Sequence, residues 1–121
     1  MPISYKISKK RDRLIVETTG NDDSLEEVQA YGMQILKAAI ENQSKTVLCD
    51  ERALTYELDT IDTYSLGEAA AKLGQGISKI AIICNRRYLQ DGKFYETVAS
   101  NRGLRIMVTD NIKQAKDWLD K

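Results

Sequence analysis

The residues best suited to chemistry lie in the stretch DTYSLG, residues 62–67, which combines one carboxylate with three hydroxyl groups. A phosphoryl group on Ser65 or Thr63 would add about two negative charges at the start of a predicted helix. The helix dipole would stabilise that charge, whereas Asp59 and Asp62 would repel it. Ser65 and Thr63 are therefore candidate phosphoacceptors.

The same stretch fits a structural role, in which Asp59 or Thr60 caps the helix and Asp62 complements its dipole. Each such interaction stabilises a helix by roughly 0.5 to 1 kcal/mol. We expect the cap. A docking surface for a protein partner is a further hypothesis, and it would consist of Asp59, Asp62, Ser65 and Glu68.

A second group of polar residues follows the predicted strands, in the sequences CDER, CNRR and TDN. Ligands of open parallel sheets favour the carboxyl ends of the strands, and arginines there can bind carboxylate or phosphate in bidentate fashion. Ion pairs and helix caps on a solvated rim are the expected alternative. The possible ligand rim comprises Asp50, Asn85, Arg86, Arg87 and Asp110, with Glu51 and Arg52 beside Asp50.

Composition argues against most kinds of catalysis. The 121 residues include no histidine, which removes Ser-His-Asp and Cys-His nucleophilic sites. Two cysteines without histidine cannot form the usual four-ligand zinc site, and no glycine-rich phosphate loop follows a strand. We therefore predict no catalytic residue, no metal and no cofactor.

Charge and hydropathy indicate the environment. With 18 basic and 18 acidic residues, the chain has no general electrostatic attraction for nucleic acid. The longest apolar run, residues 80–83, is too short to cross a bilayer, and the first residues lack the apolar part of a signal peptide. We expect a cytoplasmic protein in which Cys49 and Cys84 are buried, free thiols.

The first half of the chain predicts a hairpin, a helix and a strand. Apolar and polar residues alternate in SYKISKK and in RLIVETT, which predicts two strands joined by the turn KRD. GNDD should end the second strand. Residues 24–43 have helical periodicity and a capping box formed by Ser24 and Glu27. Gly32 lies in the apolar stripe, where we expect close packing against a strand. KTVLCD is predicted as a short strand, apolar on both faces.

The second half of the chain continues the alternation of strands and helices. Helices are expected over residues 59–74, 91–103 and 110–121; the first should end with a left-handed glycine, Gly74 or Gly76. SKIAIICN is predicted to be a central strand of the sheet, and LRIMVT is predicted to lie nearer its edge. Alternating strands and helices predict an α/β fold with a mostly parallel sheet, in one domain over residues 1–121.

This order of elements resembles the SpoIIAA-like or STAS-like domains of bacteria. The closing sequence RIMVTDNIKQAKDWL has the family's acid-capped last helix, with Asp110, Ala115, Trp118 and Leu119 at the matching positions. The stretch from KIAIIC to RIMV also matches the family's layout. The resemblance implies an N-terminal β-hairpin followed by four β-α units, with strands in sequential order and helices largely on one side.

The resemblance also implies a function. Classical members are non-catalytic regulators that antagonise anti-sigma kinases and are gated by phosphorylation of a serine in the turn D-S-[ST]-G. Here Thr63 directly follows Asp62, Ser65 lies later, and Gly67 is displaced by one position. By resemblance alone the partner would be kinase-like or anti-sigma-like, and a homodimer is also possible.

A second function belongs to a different class: a carrier of a small apolar or lipid-like ligand between helices and sheet. Ala69, Ala70 and Ala71 are small enough to leave room for such a ligand, or to allow close packing. A well-formed cavity lined by these alanines would favour the carrier.

Overall fold

A five-stranded sheet in the order β1-β2-β3-β4-β5 forms the centre of the computed structural model, which describes residues 2–121. β1 is antiparallel to β2, and every other neighbouring pair is parallel. This confirms the predicted mixed sheet with sequential strand order. The strands are β1 (Ser4–Lys10), β2 (Arg13–Asp22), β3 (Thr46–Tyr56), β4 (Lys79–Cys84) and β5 (Ile106–Thr109).

Four helices follow strands β2 to β5 in turn, and three of them cover one face of the sheet. They are α1 (Leu25–Glu41), α2 (Thr60–Leu73), α3 (Leu89–Ser100) and α4 (Ile112–Leu119), with a short 3-10 turn, Arg86–Tyr88, before α3. Residues of α1, α2 and α3 pack with Val47 and Cys49 on one face. Ala115 and Leu119 of α4 pack on Leu48 of the other face.

The positions of the buried residues in the strands agree with a sheet that has helices on both faces. Leu14, Val16 and Thr18 of β2 are buried, as their alternation predicts, and all six residues of β4 are buried, as expected of a central strand. The thiols of Cys49 and Cys84 are buried and free. On the opposite side, α4 is capped by Asn111, which accepts the Gln114 backbone N–H at 3.0 Å, and not by the acid Asp110 that the resemblance implies.

Two strands are longer than the sequence predicts. GNDD does not end β2, because Gly20 adopts a φ of +109° and the strand continues to Asp22. KTVLCD is only the first half of β3, which runs on to Tyr56 and pairs with β2 beyond the end of β4. The two strands supply each other's backbone hydrogen bonds, so neither needs β4 there.

A β-bulge lies inside this longer β3. Glu17 pairs with Asp50 but Thr19 pairs with Ala53, so two residues of β3 oppose one residue of β2. The bulge shifts the alternation of side chains by one position. As a result Glu51, Leu54 and Tyr56 all face the side covered by α1 and α2.

Three expectations about helix ends and glycines are wrong. Gly74 caps α2 with a φ of −90°, and neither Gly74 nor Gly76 is left-handed. The capping box of α1 is only half formed, since Ser24 accepts the Glu27 N–H while the Glu27 side chain instead accepts the Ile3 N–H at 3.4 Å. A Cβ on Gly32 would meet no atom within 4 Å, so that glycine is not packed against a strand.

The same substitution at two helical glycines is expected to have opposite effects. A Cβ on Gly67 would lie 2.8 Å from Cγ1 of Val98 in α3, so Gly67→Ala should lower the free energy of unfolding by about 1–2 kcal/mol. Gly32→Ala should raise it by about 1 kcal/mol, because alanine favours the helix and nothing obstructs it. Urea unfolding of both variants tests this. Equal effects would contradict the packing described.

Candidate functional site

A cavity of about 450 Å³ lies between α1, α2 and the sheet. Ala69 and Ala70 line it, whereas Ala71 is buried in the core. Most of the other lining residues are apolar and come from both helices and from strands β3, β4 and β5. They include Val28, Ile35, Leu36, Leu54, Leu66, Ile80, Ile82 and Val108.

Small residues explain why the space is empty. Gly32 in α1 and the two alanines of α2 lie where larger side chains would otherwise fill the gap between helix and sheet. Gly67 and Gly92 meanwhile keep α3 close to α2 and to β5, since a Cβ on either would lie within 3 Å of a valine. The empty space therefore lies under α1 and α2.

A buried carboxylate belongs to the cavity wall. Glu51 is 7% exposed and accepts hydrogen bonds from the hydroxyls of Tyr31 at 2.8 Å and Tyr56 at 2.5 Å. The Tyr31 oxygen also lies 2.6 Å from the Thr18 hydroxyl. Burial raises the pKa of Glu51, although the two phenols act in the opposite direction.

Asp22 supplies a second carboxylate. Its side chain is buried at the end of β2 and accepts the backbone N–H of Glu57. Burial raises the pKa of Asp22 to about 6, and the negative charges of Glu51 and Glu57 add to the shift. Asp91 is a third acid in the lining, and within residues 2–121 no lysine or arginine contributes to it.

Tyr95 of α3 completes the polar part of the lining. Its hydroxyl makes no hydrogen bond to another residue of the described chain, and burial raises its pKa. The side chain is half-buried and lines the cavity, so this hydroxyl is available to a molecule inside.

Exposed apolar side chains lie where α1 and α2 meet the solvent. Met33 is 55% exposed and Leu73 is 44% exposed, and both line the cavity as well as a shallow neighbouring groove. Ile40 extends the same groove. These residues form an apolar border at the gap between α1 and α2.

The start of α2 has the predicted cap. Asp59 accepts the Asp62 backbone N–H at 2.8 Å. The Thr63 hydroxyl donates to the Asp59 carbonyl at 2.8 Å, and Thr63 also lines the cavity. Asp62 and Ser65 are half-buried, and Glu68 forms an ion pair with Arg102 at 3.3 Å.

Asp50, Arg86 and Asp110 of the possible ligand rim form ion pairs, and the Asn85 side chain bonds to backbone. Asp50 pairs with Arg52 at 2.6 Å, and Arg86 pairs with Asp110 at 3.3 Å. Asn85 accepts the Arg87 backbone N–H at 2.9 Å and so begins the 3-10 turn. These are the ion pairs and caps that the sequence offered as the alternative to a ligand.

Sequence reasoning missed the acid and tyrosines of the cavity. Glu51 was placed beside the rim because β3 was expected to end there, yet the continued strand directs its carboxylate to the cavity. Tyr31, Tyr56 and Tyr95 lie on three different elements, so no local pattern joins them. The one available signal is that Glu51 lies two residues after Cys49, which places both side chains on the same face of β3.

No helix within residues 2–121 is long and apolar enough to cross a membrane. Within the same range, no cluster of three or more histidine, cysteine or acidic side chains could hold a metal ion.

Comparison by sequence finds no matching family model and no similar curated protein. Comparison by structure finds an anti-sigma factor antagonist from Mycobacterium paratuberculosis, with a TM-score of 0.63 and 14% identity over 98% of this chain and 95% of that one. It also finds an uncharacterised protein of the DUF3478 family with a SpoIIAA-like fold, from Shewanella loihica. That match has a TM-score of 0.56 and 19% identity over 98% of this chain and 94% of that one.

Both neighbours align with nearly the whole of this chain at low sequence identity. The likeness therefore concerns the fold. Together with the sequential, mostly parallel sheet, it confirms the fold expected from the layout of the elements: this chain has the SpoIIAA-like fold.

Proposed function

We propose that this protein is a non-catalytic domain that binds a small, mostly apolar ligand between its helices and its sheet. The cavity of about 450 Å³ is the observation that carries the proposal. Its volume lies within the range of known ligand pockets, roughly 300 to 1,000 Å³. Its lining also has their usual composition, apolar walls with a few polar groups.

A space of this size is unusual as a packing defect. Protein interiors are close-packed, and voids larger than a water molecule are few. Here the space lies beside exposed Met33 and Leu73, which give an apolar molecule a favourable route in from solvent. Gly32 and the two alanines keep the space open in a helix pair that larger residues would stabilise.

Native and denaturing mass spectrometry of protein purified gently from its own cell tests the proposal. We expect an added mass in the native spectrum that is lost on denaturation. A bare polypeptide in both spectra, with no small molecule in an organic extract of the same sample, would count against a resident ligand. The native mass also reports whether the chain is a monomer or a homodimer.

Docking to a protein partner through α2 is the second candidate function. Ile61 is 76% exposed and lies beside Asp62 and Ser65 on the outer side of the helix. An exposed apolar side chain with polar groups around it matches the apolar core and polar rim of protein interfaces. An anti-sigma factor antagonist shares the fold, which supports a regulatory role with a kinase-like or anti-sigma-like partner.

Of the two candidate phosphoacceptors, Ser65 is the better placed. The Thr63 hydroxyl already donates to the backbone and faces the cavity, whereas Ser65 is half-buried on the outer part of α2. Fragment masses of the denatured protein test this point, because a covalent phosphoryl group survives denaturation, and its location on Ser65 would support the docking role.

A further inference from the structure

The cavity contains buried negative charge without a matching positive charge. Buried carboxylates in proteins are normally paired with a cation or bound to a metal. Glu51 is held only by two phenols, and Asp22 is held by backbone N–H. The chain has 18 basic residues, yet none lines the cavity within the described residues.

The aromatic residues of the cavity lining also favour a positively charged ligand. Tyr31, Tyr56 and Tyr95 all contribute to the cavity, and the faces of aromatic rings attract cations. The Tyr95 oxygen, which has no partner elsewhere in residues 2–121, can accept a hydrogen bond from an N–H group. Carboxylate and tyrosine together are the groups with which proteins recognise ammonium ligands.

We propose that the ligand is a hydrophobic amine, whose apolar body fills the cavity and whose ammonium group lies against Glu51 and the tyrosines. This inference rests on the proposed ligand-binding function. An anionic ligand, such as a fatty acid or a phosphate ester, would bring a second negative charge beside Glu51 in a site of low dielectric constant. Coulomb repulsion is strong under those conditions, so the cavity disfavours anions.

Three matched probes separate these classes: 6-phenylhexylamine, 6-phenylhexanol and 7-phenylheptanoate. They share one apolar body and differ only in the charge of the polar end. Isothermal titration calorimetry at pH 8 on ligand-free protein is expected to show the amine binding at least tenfold more tightly than the alcohol. The carboxylate is expected to bind most weakly.

Two variants with the same chemical change provide the control. Glu51→Gln removes the charge in the cavity and is expected to reduce amine affinity at least tenfold, to about that of the alcohol. Glu17→Gln makes the same change at an exposed position of β2 and should leave the preference for the amine unchanged. Circular dichroism before titration verifies that both variants are folded.

The outcomes distinguish this inference from the proposed function. If the probes bind but the alcohol or the carboxylate binds as tightly as the amine, the inference about charge is overturned while ligand binding stands. If no probe binds, or if binding is unaffected by the cavity-filling variant Gly32→Phe, the proposed function fails and the inference fails with it.

Discussion

The variant Gly32→Phe is expected to unfold at a higher urea concentration than the wild type and to lose at least tenfold in affinity for apolar ligands. Gly32 lies in the middle of α1 over the cavity, and a side chain added there meets no atom within 4 Å at its first carbon. The phenyl ring would occupy space that is otherwise available to a ligand. Stability and binding should therefore change in opposite directions.

The expected stabilisation has two sources. Replacing glycine within a helix contributes about 0.5 kcal/mol, and burying a phenylalanine contributes about 1.5–3 kcal/mol, less any strain. A net gain of about 1–3 kcal/mol follows. Gly32→Ala is the matched control, because it improves helix propensity but leaves the cavity open. A destabilised Gly32→Phe that binds like the wild type would show that the space is not where the structure has it.

The free energy of unfolding is expected to fall as the pH rises from 4 to 7 through the contribution of Asp22. Its carboxyl has a pKa of about 6 in the folded state against 3.8 in the unfolded chain, so the folded state binds this proton more tightly. The stabilisation is complete below pH 3.8 and is lost as the pH rises past 6. At about 1.4 kcal/mol per pKa unit, the difference amounts to at most about 3 kcal/mol.

Asp22→Asn isolates this effect from other titrating groups. The amide oxygen can still accept the Glu57 N–H, but it carries no charge. We expect the variant to be about 1–3 kcal/mol more stable than the wild type at pH 8 and no more stable at pH 4. Asp23→Asn, at the exposed neighbouring position, should show no such dependence. Parallel urea curves at both pH values measure the difference, and a constant gap between variant and wild type would refute the assignment to Asp22.

The sheet could be predicted from sequence because each of its signals is local. The unbroken apolar run of β4 marks a central strand and the alternation in β2 marks a face, whereas the sequential strand order follows only from the resemblance to the SpoIIAA-like layout. The cap at Asp59 is equally local, since one side chain meets a backbone group three residues later.

The cavity could not be predicted in this way because it depends on what several distant elements leave unfilled. The sequence draws attention to Ala69 and Ala70, but these residues are equally compatible with tight packing. The decisive partner is Gly32, on another helix, which looked like a point of close contact and proved to be the opposite. Likewise, the end of β3 is set by its pairing with β2, which the sequence of β3 alone does not encode.

The bulge in β3 also limits which insertions and deletions the chain can tolerate. Removing Arg52 or Ala53 would restore the regular pairing with β2 and leave Leu54 and Tyr56 on the same face as Glu51, whereas removing Thr55 would turn Tyr56 to the opposite face of the sheet. Glu51 would then lose one of its two phenols, although no side chain near it had been substituted. A sequence that shares this pocket can therefore lack the bulge, but it must conserve the spacing from Leu54 to Tyr56 as strictly as the acid at Glu51.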